Sequence, residues 1–369
     1  MRIAAYLHLH RFTNPTGVGK HLIHMMQGLA GSPNLEITIL SPRQHLDAAG
    51  QIPADLPVPK LPVISIPWGR RNLETAWSIL NRPKIERWHT GADWIYSPVE
   101  AYVPSRTART AATIHCVNWF DPEVPWYRSR GTRSERLRLG PRWRAICSRS
   151  TVVLTVSEFL KRRICQLFKV DPARVAVIGN AAEEEYFAVA NTPAVISANP
   201  YVLVIGGLNQ RKGGDYIFPV ARELANRDPR FKIKIAGRSE QSYAEKAASY
   251  PNIEHIGYRG LDTLPQLLHN SVALLFLSRY DTFGIPAAEA LAAGTPAIVS
   301  AFAALPEVVG DAGIIADVQR PDTIAEAIVQ LHQDSTMRES IIAKGRIRAE
   351  QYHWSVPVSR LLETFNKHG

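Results

Sequence analysis

The sequence predicts an α/β protein built from two doubly wound domains, on the basis of three observations. At 369 residues, the chain exceeds the size at which a single hydrophobic core usually stops growing. Its composition, with 46% hydrophobic and 21% charged residues, is typical of a globular protein. Short apolar segments alternate with helical patterns in both halves, which favours parallel sheets covered on both faces.

The first half begins with an apolar strand, a glycine-containing loop and a helix. Its predicted strands are Ile3–Leu9, Glu36–Leu40, Trp94–Tyr96, Ala111–His115 and Val152–Val156. The proline-rich segment from Pro53 to Pro67 is predicted to be a surface excursion. The polar stretch from Asn191 to Pro200 is the predicted linker, which gives a first domain of residues 1–190.

The second half repeats this pattern over residues 196–355, which form the predicted second domain. Its predicted strands are Tyr201–Ile205, Lys232–Ala236, Ile253–Ile256, Ala273–Leu277, Ala297–Ser300 and Ile314–Ile315. Its predicted helices are Asp215–Ala225, Leu264–His269, Ala287–Ala293 and Thr323–Leu331, and a last helix follows at Val356–Asn366. Because doubly wound domains bind ligands at the carboxyl ends of their strands, two that face one another would share a cleft.

The cysteine content and the apolar runs indicate a cytoplasmic protein. Three cysteines give neither the even count of a disulfide framework nor the close pairs of a zinc site, so we interpret them as reduced thiols. The first residues lack the apolar core of a signal peptide, and no apolar run has the length of a membrane-spanning helix.

The net charge of +10 indicates a polyanionic partner, either an acidic membrane face or nucleic acid. Much of the excess lies in one segment, which contains Arg128, Arg130, Arg133, Arg136, Arg138, Arg142, Arg144 and Arg149. Peripheral contact with anionic lipid and a helix with solvated arginines are the two alternatives for this segment. A nucleic-acid-binding role would leave the paired acids described next unexplained, so we expect no nucleic-acid partner.

The segment SRYDTFGIPAAEALAAGTPAIVS holds the strongest functional pattern. Backbone amides of Phe283, Gly284 and Ile285 lie where a helix begins, and free N–H groups there suit a phosphate or a sugar hydroxyl. Asp281 in the loop and Glu289 in the helix are carboxylates, which commonly bind sugar and ribose hydroxyls. The alternative is an ordinary strand-turn-helix with solvated acids.

Three weaker patterns accompany it. Arg211 and Lys212 follow a strand and a glycine-rich turn, where two cations would neutralise a diphosphate leaving group, although basic surface pairs are common. Gly17 and Gly19 follow the first strand, but no acidic residue ends the second strand as in a dinucleotide-binding fingerprint. His115 ends a strand, where it is either a residue that orients a sugar or relays a proton, or a structural histidine.

Together these segments resemble glycosyltransferase family 4, the retaining enzymes with the GT-B architecture, over essentially the whole chain. The motifs that carry the resemblance, in the family's order, are TGVGKHLIHMM, TIHCVNWF, LTVSEFLKRRICQLFKVDPARVAVIGNAAEEEYF, YVLVIGGLNQRKGGDY and YDTFGIPAAEALAAGTPAIVSAFAALPEVV. The resemblance implies an N-terminal acceptor domain and a C-terminal donor domain, both Rossmann-like, facing across a cleft. It also implies that the last helix, about residues 356–369, packs back on the first domain.

By position, the resemblance implies that Arg211 and Lys212 hold the diphosphate of a nucleotide sugar. Gly17 and Gly19 would line the loop beneath the diphosphate. Gly207 lies where many relatives have an arginine that contacts the phosphate, so the two cations would carry more of that task.

The resemblance also implies roles around the donor's sugars and base. Glu289 would bind the ribose, and Asp281 replaces the first glutamate of the family's acidic pair beside the donor sugar, assisted by backbone amides. Tyr258 and Arg259 match the nucleobase region, and His115 matches the family's histidine near the sugar.

The implied activity is metal-independent transfer of a hexose, with retention, to a hydroxyl of a saccharide or lipid-linked acceptor in bacterial surface polysaccharide synthesis. GDP-mannose is the preferred donor and a UDP-sugar the alternative. No cofactor is expected, because the nucleotide sugar is a co-substrate. A nucleotide-sugar 2-epimerase on the same fold is a further alternative, for which His115 is the candidate acid-base residue.

Overall fold

The structure, a computed structural model, describes residues 1–9 and 16–369. These residues form two compact units. Unit 1 contains Met1–Asn180 and Trp354–Gly369, and unit 2 contains Ala181–His353. Each unit is built on one parallel sheet with a doubly wound strand order, so the predicted α/β class with two Rossmann-like domains is confirmed.

In the described part of unit 1, seven parallel strands form the sheet, in the order β3-β2-β1-β4-β5-β6-β7. They are β1 (Arg2–Tyr6), β2 (Glu36–Pro42), β3 (Val63–Ile66), β4 (Trp94–Ser97), β5 (Arg109–Ile114), β6 (Val152–Thr155) and β7 (Val175–Val177). The helices of this part are α1 (Gly17–Ala30), α2 (Arg70–Leu80), α3 (Arg130–Arg149) and α4 (Glu158–Phe168).

Two of these strands were not expected. The segment from Pro53 to Pro67, predicted to be a surface excursion, contains β3, which pairs with β2 from Ile39↔Val63 to Pro42↔Ile66. Proline can flank an edge strand because that strand needs only one row of hydrogen bonds. β7 is a three-residue edge strand beside β6, too short to give a period in the sequence.

Six parallel strands form the sheet of unit 2, in the order β10-β9-β8-β11-β12-β13. They are β8 (Tyr201–Ile205), β9 (Lys232–Ala236), β10 (Ile253–Gly257), β11 (Ala273–Phe276), β12 (Ala297–Ser300) and β13 (Ile314–Ala316). The helices are α5 (Glu184–Val189), α6 (Gly214–Arg227), α7 (Gln241–Ala247), α8 (Leu264–His269), α9 (Ile285–Ala292), α10 (Leu305–Val309), α11 (Pro321–Gln333) and α12 (Ser335–Ala349).

The boundary between the units differs from the predicted one. Residues 181–190, placed by sequence in the first domain, belong to unit 2, where α5 packs against α8 and α9. Side chains of unit 2 bind the backbone that follows α5: Arg346 donates to the carbonyl of Ala190 at 2.6 Å, and Nε2 of His269 lies 2.9 Å from the carbonyl of Thr192. The polar stretch after residue 190 therefore lies within unit 2 rather than before it.

The last helix, α13 (Ser355–Lys367), belongs to unit 1. Phe365 is fully buried there and stacks on Trp94 of β4, with 4.3 Å between ring centroids. Phe365 also meets Tyr96 edge to face at 5.8 Å. The two ends of unit 1 thus share one apolar core, because side chains of α13 cover strands from the first hundred residues.

The described residues contain neither a membrane-spanning helix nor a metal-binding group of side chains. None of their helices combines the length and the apolar character needed to cross a membrane. No group of three or more His, Cys, Asp or Glu side chains among them is arranged to hold a metal ion.

Candidate functional site

The candidate site in unit 2 lies at the carboxyl ends of β8 and β11. These strands are neighbours in the sheet, but the chain leaves β8 towards one edge and returns to β11 on the other side. Such a switch point opens a crevice between two loops that diverge from the sheet. The loop after β8 carries Arg211 and Lys212, and the loop after β11 carries Asp281.

Asp281 pairs with both predicted diphosphate-binding cations. Its carboxylate accepts a hydrogen bond from Nζ of Lys212 at 2.9 Å and lies 3.6 Å from Nη1 of Arg211. The Arg211 guanidinium also donates to the carbonyl of Tyr280 at 3.1 Å. The structure therefore brings these three predicted site residues together, with the acid fixing the positions of the two cations.

Burial and charge act in opposite directions on this pair. Burial alone would raise the pKa of Asp281, but Lys212 and Arg211 outweigh it and lower the pKa below its ordinary value. Burial lowers the pKa of Lys212, and the neighbouring Asp281 limits that decrease. The Lys212 ammonium also lies 4.6 Å from the centroid of the Phe276 ring, which favours the charged form.

The glycine turn that follows β8 allows the close approach of two loops. A Cβ on Gly206 would lie 3.4 Å from Cε of Lys212, so the lysine side chain runs over this residue. Gly207 has φ +71°, and a Cβ there would lie 2.0 Å from the carbonyl oxygen of Arg238. The backbone conformation at Gly207 therefore leaves no room for a side chain.

The FGIP turn begins α9, as predicted, and its amides are used in two ways. Gly284 adopts φ +97° at the N-cap, and the Phe283 amide helps to lower the pKa of the Asp281 carboxylate. No hydrogen bond among the described residues uses the amides of Gly284 or Ile285. Two of the three predicted amides are thus available to a ligand at the start of this helix.

Glu289 lies within α9 and is only 3% exposed. Its neighbour is Tyr186 of α5, which is fully buried. Burial, followed by the charge of Glu289, raises the pKa of the Tyr186 hydroxyl, and Glu289 also acts electrostatically on Lys212. The predicted ribose-binding acid therefore lies close to the cation pair, and sequence reasoning missed Tyr186 because nothing in its segment marks it as a partner.

Tyr258 and Arg259 follow β10, the edge strand of the same sheet. The Tyr258 side chain is exposed, and Arg259 donates to the Tyr258 carbonyl at 3.1 Å. They share the carboxyl edge of the sheet with the cation pair but lie at its outermost strand. Their nucleobase-binding role stays a prediction.

The predicted site residues of unit 1 occupy a helix start and a buried strand end. Gly17 and Gly19 form the first turn of α1 rather than a loop, because the helix already begins at Gly17, and the preceding His10–Pro15 lie outside the described residues. His115 is 5% exposed, and its Nε2 lies 2.9 Å from the carbonyl of Pro98. This contact ties one ring nitrogen to the backbone, while a role beside the sugar stays a prediction.

Two family models match successive parts of the chain. A family model described as Glycosyltransferase Family 4 matches residues 15–186, and one described as Glycosyl transferases group 1 matches residues 192–348. The chain is 27% identical over 295 residues to the O-antigen chain mannosyltransferase B of Escherichia coli, which covers 74% of this chain and 75% of the relative.

Solved structures of low sequence identity share the fold. Sucrose-phosphate synthase from Thermosynechococcus elongatus matches with a TM-score of 0.72 at 16% identity, covering 99% of this chain and 98% of its own. Anabaena HepE, in a crystal structure with UDP-glucose, matches with a TM-score of 0.64 at 15% identity over 100% of both chains.

Proposed function

Since this chain belongs to the Family 4 glycosyltransferases, we propose that it transfers a hexose from a nucleotide diphosphate sugar to an acceptor hydroxyl with retention of configuration. Unit 2 binds the donor, and unit 1 binds the acceptor. The observation that carries the proposal is the Arg211–Lys212–Asp281 cluster at the switch point of unit 2, next to two available amides at the start of α9.

The cation pair acts on the leaving group. As the bond between the anomeric carbon and the phosphate oxygen breaks, negative charge grows on the diphosphate, and Lys212 and Arg211 stabilise that charge from fixed positions. The new bond forms between the anomeric carbon and the acceptor oxygen, and the acceptor proton passes to the departing diphosphate on the same face. Asp281 holds the cations before the donor binds and then contacts the donor sugar.

The acid beside the sugar is shorter than in the relatives' motif. Aspartate has one methylene fewer than glutamate, and here it is already bound to Lys212. A sugar hydroxyl that reaches Asp281 must therefore lie close to the ammonium as well, so one cluster would bind both the diphosphate and the sugar. Glu289, one helical turn into α9, then accepts from the ribose hydroxyls.

Mannose from GDP-mannose is the proposed donor, and a UDP-hexose is the second candidate. The first rests on the mannosyltransferase of Escherichia coli, and the second on the UDP-glucose complex of a protein with the same fold. Thermal shift with GDP-, UDP-, ADP- and dTDP-sugars distinguishes them, since a ligand at a hundred times its dissociation constant adds about 2.7 kcal/mol. If no nucleotide sugar stabilised the protein, the proposed function would be wrong.

We propose a saccharide or lipid-linked saccharide of bacterial surface polysaccharide synthesis as the acceptor, reached from the inner membrane face. Three arginines of α3, Arg130, Arg133 and Arg144, are exposed and have no ion-pair partner among the described residues. Leu137, 80% exposed, lies on the same helical stripe. Arginines around an exposed leucine suit an anionic lipid surface, where each adds about 1 kcal/mol.

The membrane contact has its own test. Replacing Arg130, Arg133 and Arg144 with glutamine should weaken sedimentation with phosphatidylglycerol vesicles, whereas Arg138→Gln should not, because Arg138 already pairs with Glu135. Equal sedimentation of both variants would remove the membrane contact from the proposal and leave the transferase activity untouched.

The 2-epimerase alternative gains no support from the matched families or from the structure. Incubation with donor alone separates the two activities, because epimerisation needs no acceptor.

A further inference from the structure

A second cluster of charged side chains lies in unit 1. Its centre is Glu74 of α2, whose side chain is 1% exposed. One carboxylate oxygen accepts from the Tyr6 hydroxyl at 3.0 Å and lies 2.5 Å from Nε2 of His8, which follows β1. The other lies 2.7 Å from Nη2 of Arg142 in α3 and 3.6 Å from Nη1 of Arg70.

Glu74 is ionised and acts as a brace. Burial alone would raise its pKa, but His8, Arg142 and Arg70 outweigh burial and lower the pKa of Glu74 to about 2. The carboxylate thus holds two guanidinium groups, one from α2 and one from α3, in fixed positions. Preorganised cations of this kind bind an anion without paying for side-chain ordering at that step.

The cluster carries an excess of positive charge. One carboxylate serves two arginines, and neither Arg70 nor Arg142 has a second carboxylate partner among residues 1–9 and 16–369. Their side chains remain 30% and 20% exposed. Each guanidinium has five N–H donors in a planar fork, and those on its exposed part can bind a ligand.

The start of α2 is electrostatically unfavourable as it stands. Arg70 and Arg71 occupy the first turn, which contains no acidic residue, and Gly69 offers no side-chain cap. Cations at this end oppose the helix dipole, whereas an anion there would satisfy both the dipole and the arginines. Burial lowers the pKa of His45, in the turn after β2, and the positive charge of the nearby Arg70 lowers it further.

We propose that Arg70 and Arg142 form a phosphate-binding subsite in unit 1 that holds a phosphate group of the acceptor. The role of this subsite rests on the proposed function. The acceptor class that it implies is a saccharide that carries a phosphate or diphosphate. The source is either the diphosphate of a lipid-linked saccharide or a phosphate on a soluble sugar, since both present the same oxygens to the two guanidiniums.

Calorimetric titration of the full chain tests the subsite with two probes, farnesyl diphosphate in micelles and mannose 1-phosphate. A Lys212→Ala background weakens binding of either probe to unit 2. At least one probe should bind, and Arg70→Gln should weaken it by about tenfold, a change expected on losing a charge-assisted contact. Arg138→Gln, at an exposed arginine of α3 that pairs with Glu135, is the matched control and should leave binding unchanged.

The tighter probe identifies the source of the phosphate. Failure of both probes to bind, or equal binding by Arg70→Gln and its parent, would overturn the subsite. Arg142→Gln is avoided because it leaves Glu74 with one cation fewer and risks unfolding. Arg142→Lys keeps the positive charge but loses the planar fork of donors, so it should weaken binding less than Arg70→Gln.

A charge change at the helix start separates binding from structure. Arg71→Glu places an acid in the first turn of α2, so it should raise the urea midpoint while weakening phosphate binding. If the Glu74 cluster had only a structural role, phosphate binding by this variant would not change. Nucleotide-sugar thermal shifts on the same variants report on unit 2, so loss of the subsite and failure of the proposed donor site give different results.

Discussion

Replacing Lys212 with methionine should reduce both activity and stability, and a second substitution should separate the two effects. Methionine keeps an unbranched stem over Gly206 but removes the ammonium 2.9 Å from Asp281. The aspartate then retains Arg211 at 3.6 Å and the amide of Phe283. Asp281 is left undercompensated rather than wholly unpaired.

The magnitudes follow from this geometry. Removing one partner of a fully buried ion pair costs about 3–5 kcal/mol. Here the Asp281 side chain is 17% exposed and keeps a second cation, so we expect a loss of about 2 kcal/mol in the free energy of unfolding. The loss of a preorganised charge on the leaving group should lower kcat by about 10²–10³-fold.

The double variant Lys212→Met/Asp281→Asn removes both charges. Its stability should return to within about 1 kcal/mol of the parent, because no buried charge is left without compensation, while its activity stays low. Urea unfolding and single-turnover transfer from the donor found by thermal shift measure the two quantities. Near-normal kcat in Lys212→Met, or a double variant as unstable as the single one, would contradict the reasoning.

Three further predictions concern backbone and charge. Ala303 has φ +55°, so Ala303→Gly should relieve backbone strain and raise the free energy of unfolding, measured in urea, by about 1 kcal/mol. A lower free energy of unfolding would show that the contacts of the alanine methyl outweigh the backbone strain. Gly207→Ala should lower the free energy of unfolding by more than about 2 kcal/mol, because its Cβ would lie 2.0 Å from the Arg238 carbonyl oxygen. A urea midpoint equal to the parent's would contradict this close approach. Because the pKa of Glu74 is lowered from 4.5 to about 2, its ionised carboxylate stabilises the fold above pH 4.5, and this contribution is lost as the pH falls towards about 2. Glu74→Gln should therefore lower the free energy of unfolding by up to about 3 kcal/mol at pH 7 and by progressively less below pH 4.5. A pH-independent cost would show that shape rather than charge is responsible.

The sequence predicts the fold of unit 2 closely because its central strands β8, β11 and β12 are short, apolar and almost completely buried. β8 and β12 have the predicted bounds, since both faces of a central parallel strand are covered and the apolar run ends where burial ends. β9 also has the predicted bounds, although its two lysines are only half-buried. The edge strand β3 escaped prediction because its side chains are mostly half-buried and prolines surround it. Local periodicity cannot show that a segment joins a sheet through its neighbour's backbone.

The candidate site could be predicted by residue but not by arrangement. The sequence predicted Arg211, Lys212 and Asp281 as site residues, with the two cations binding the diphosphate and the acid binding the sugar. It did not predict that the acid pairs with the cations. Lys212 and Asp281 are 69 residues apart in sequence, and they meet because the strands before their loops are adjacent in the sheet. The Glu74 cluster was missed for the same reason: its members come from β1, α2 and α3, and only the folded chain brings them together.

The split composition of unit 1 has a consequence for biosynthesis. Ala181–His353 is one continuous stretch, so unit 2 can fold while the ribosome is still adding residues. Unit 1 must wait, because Trp94 stays uncovered until Phe365 has been made. During translation the nascent N-terminal sheet therefore lacks the aromatic ring that covers Trp94 until α13 has been synthesised.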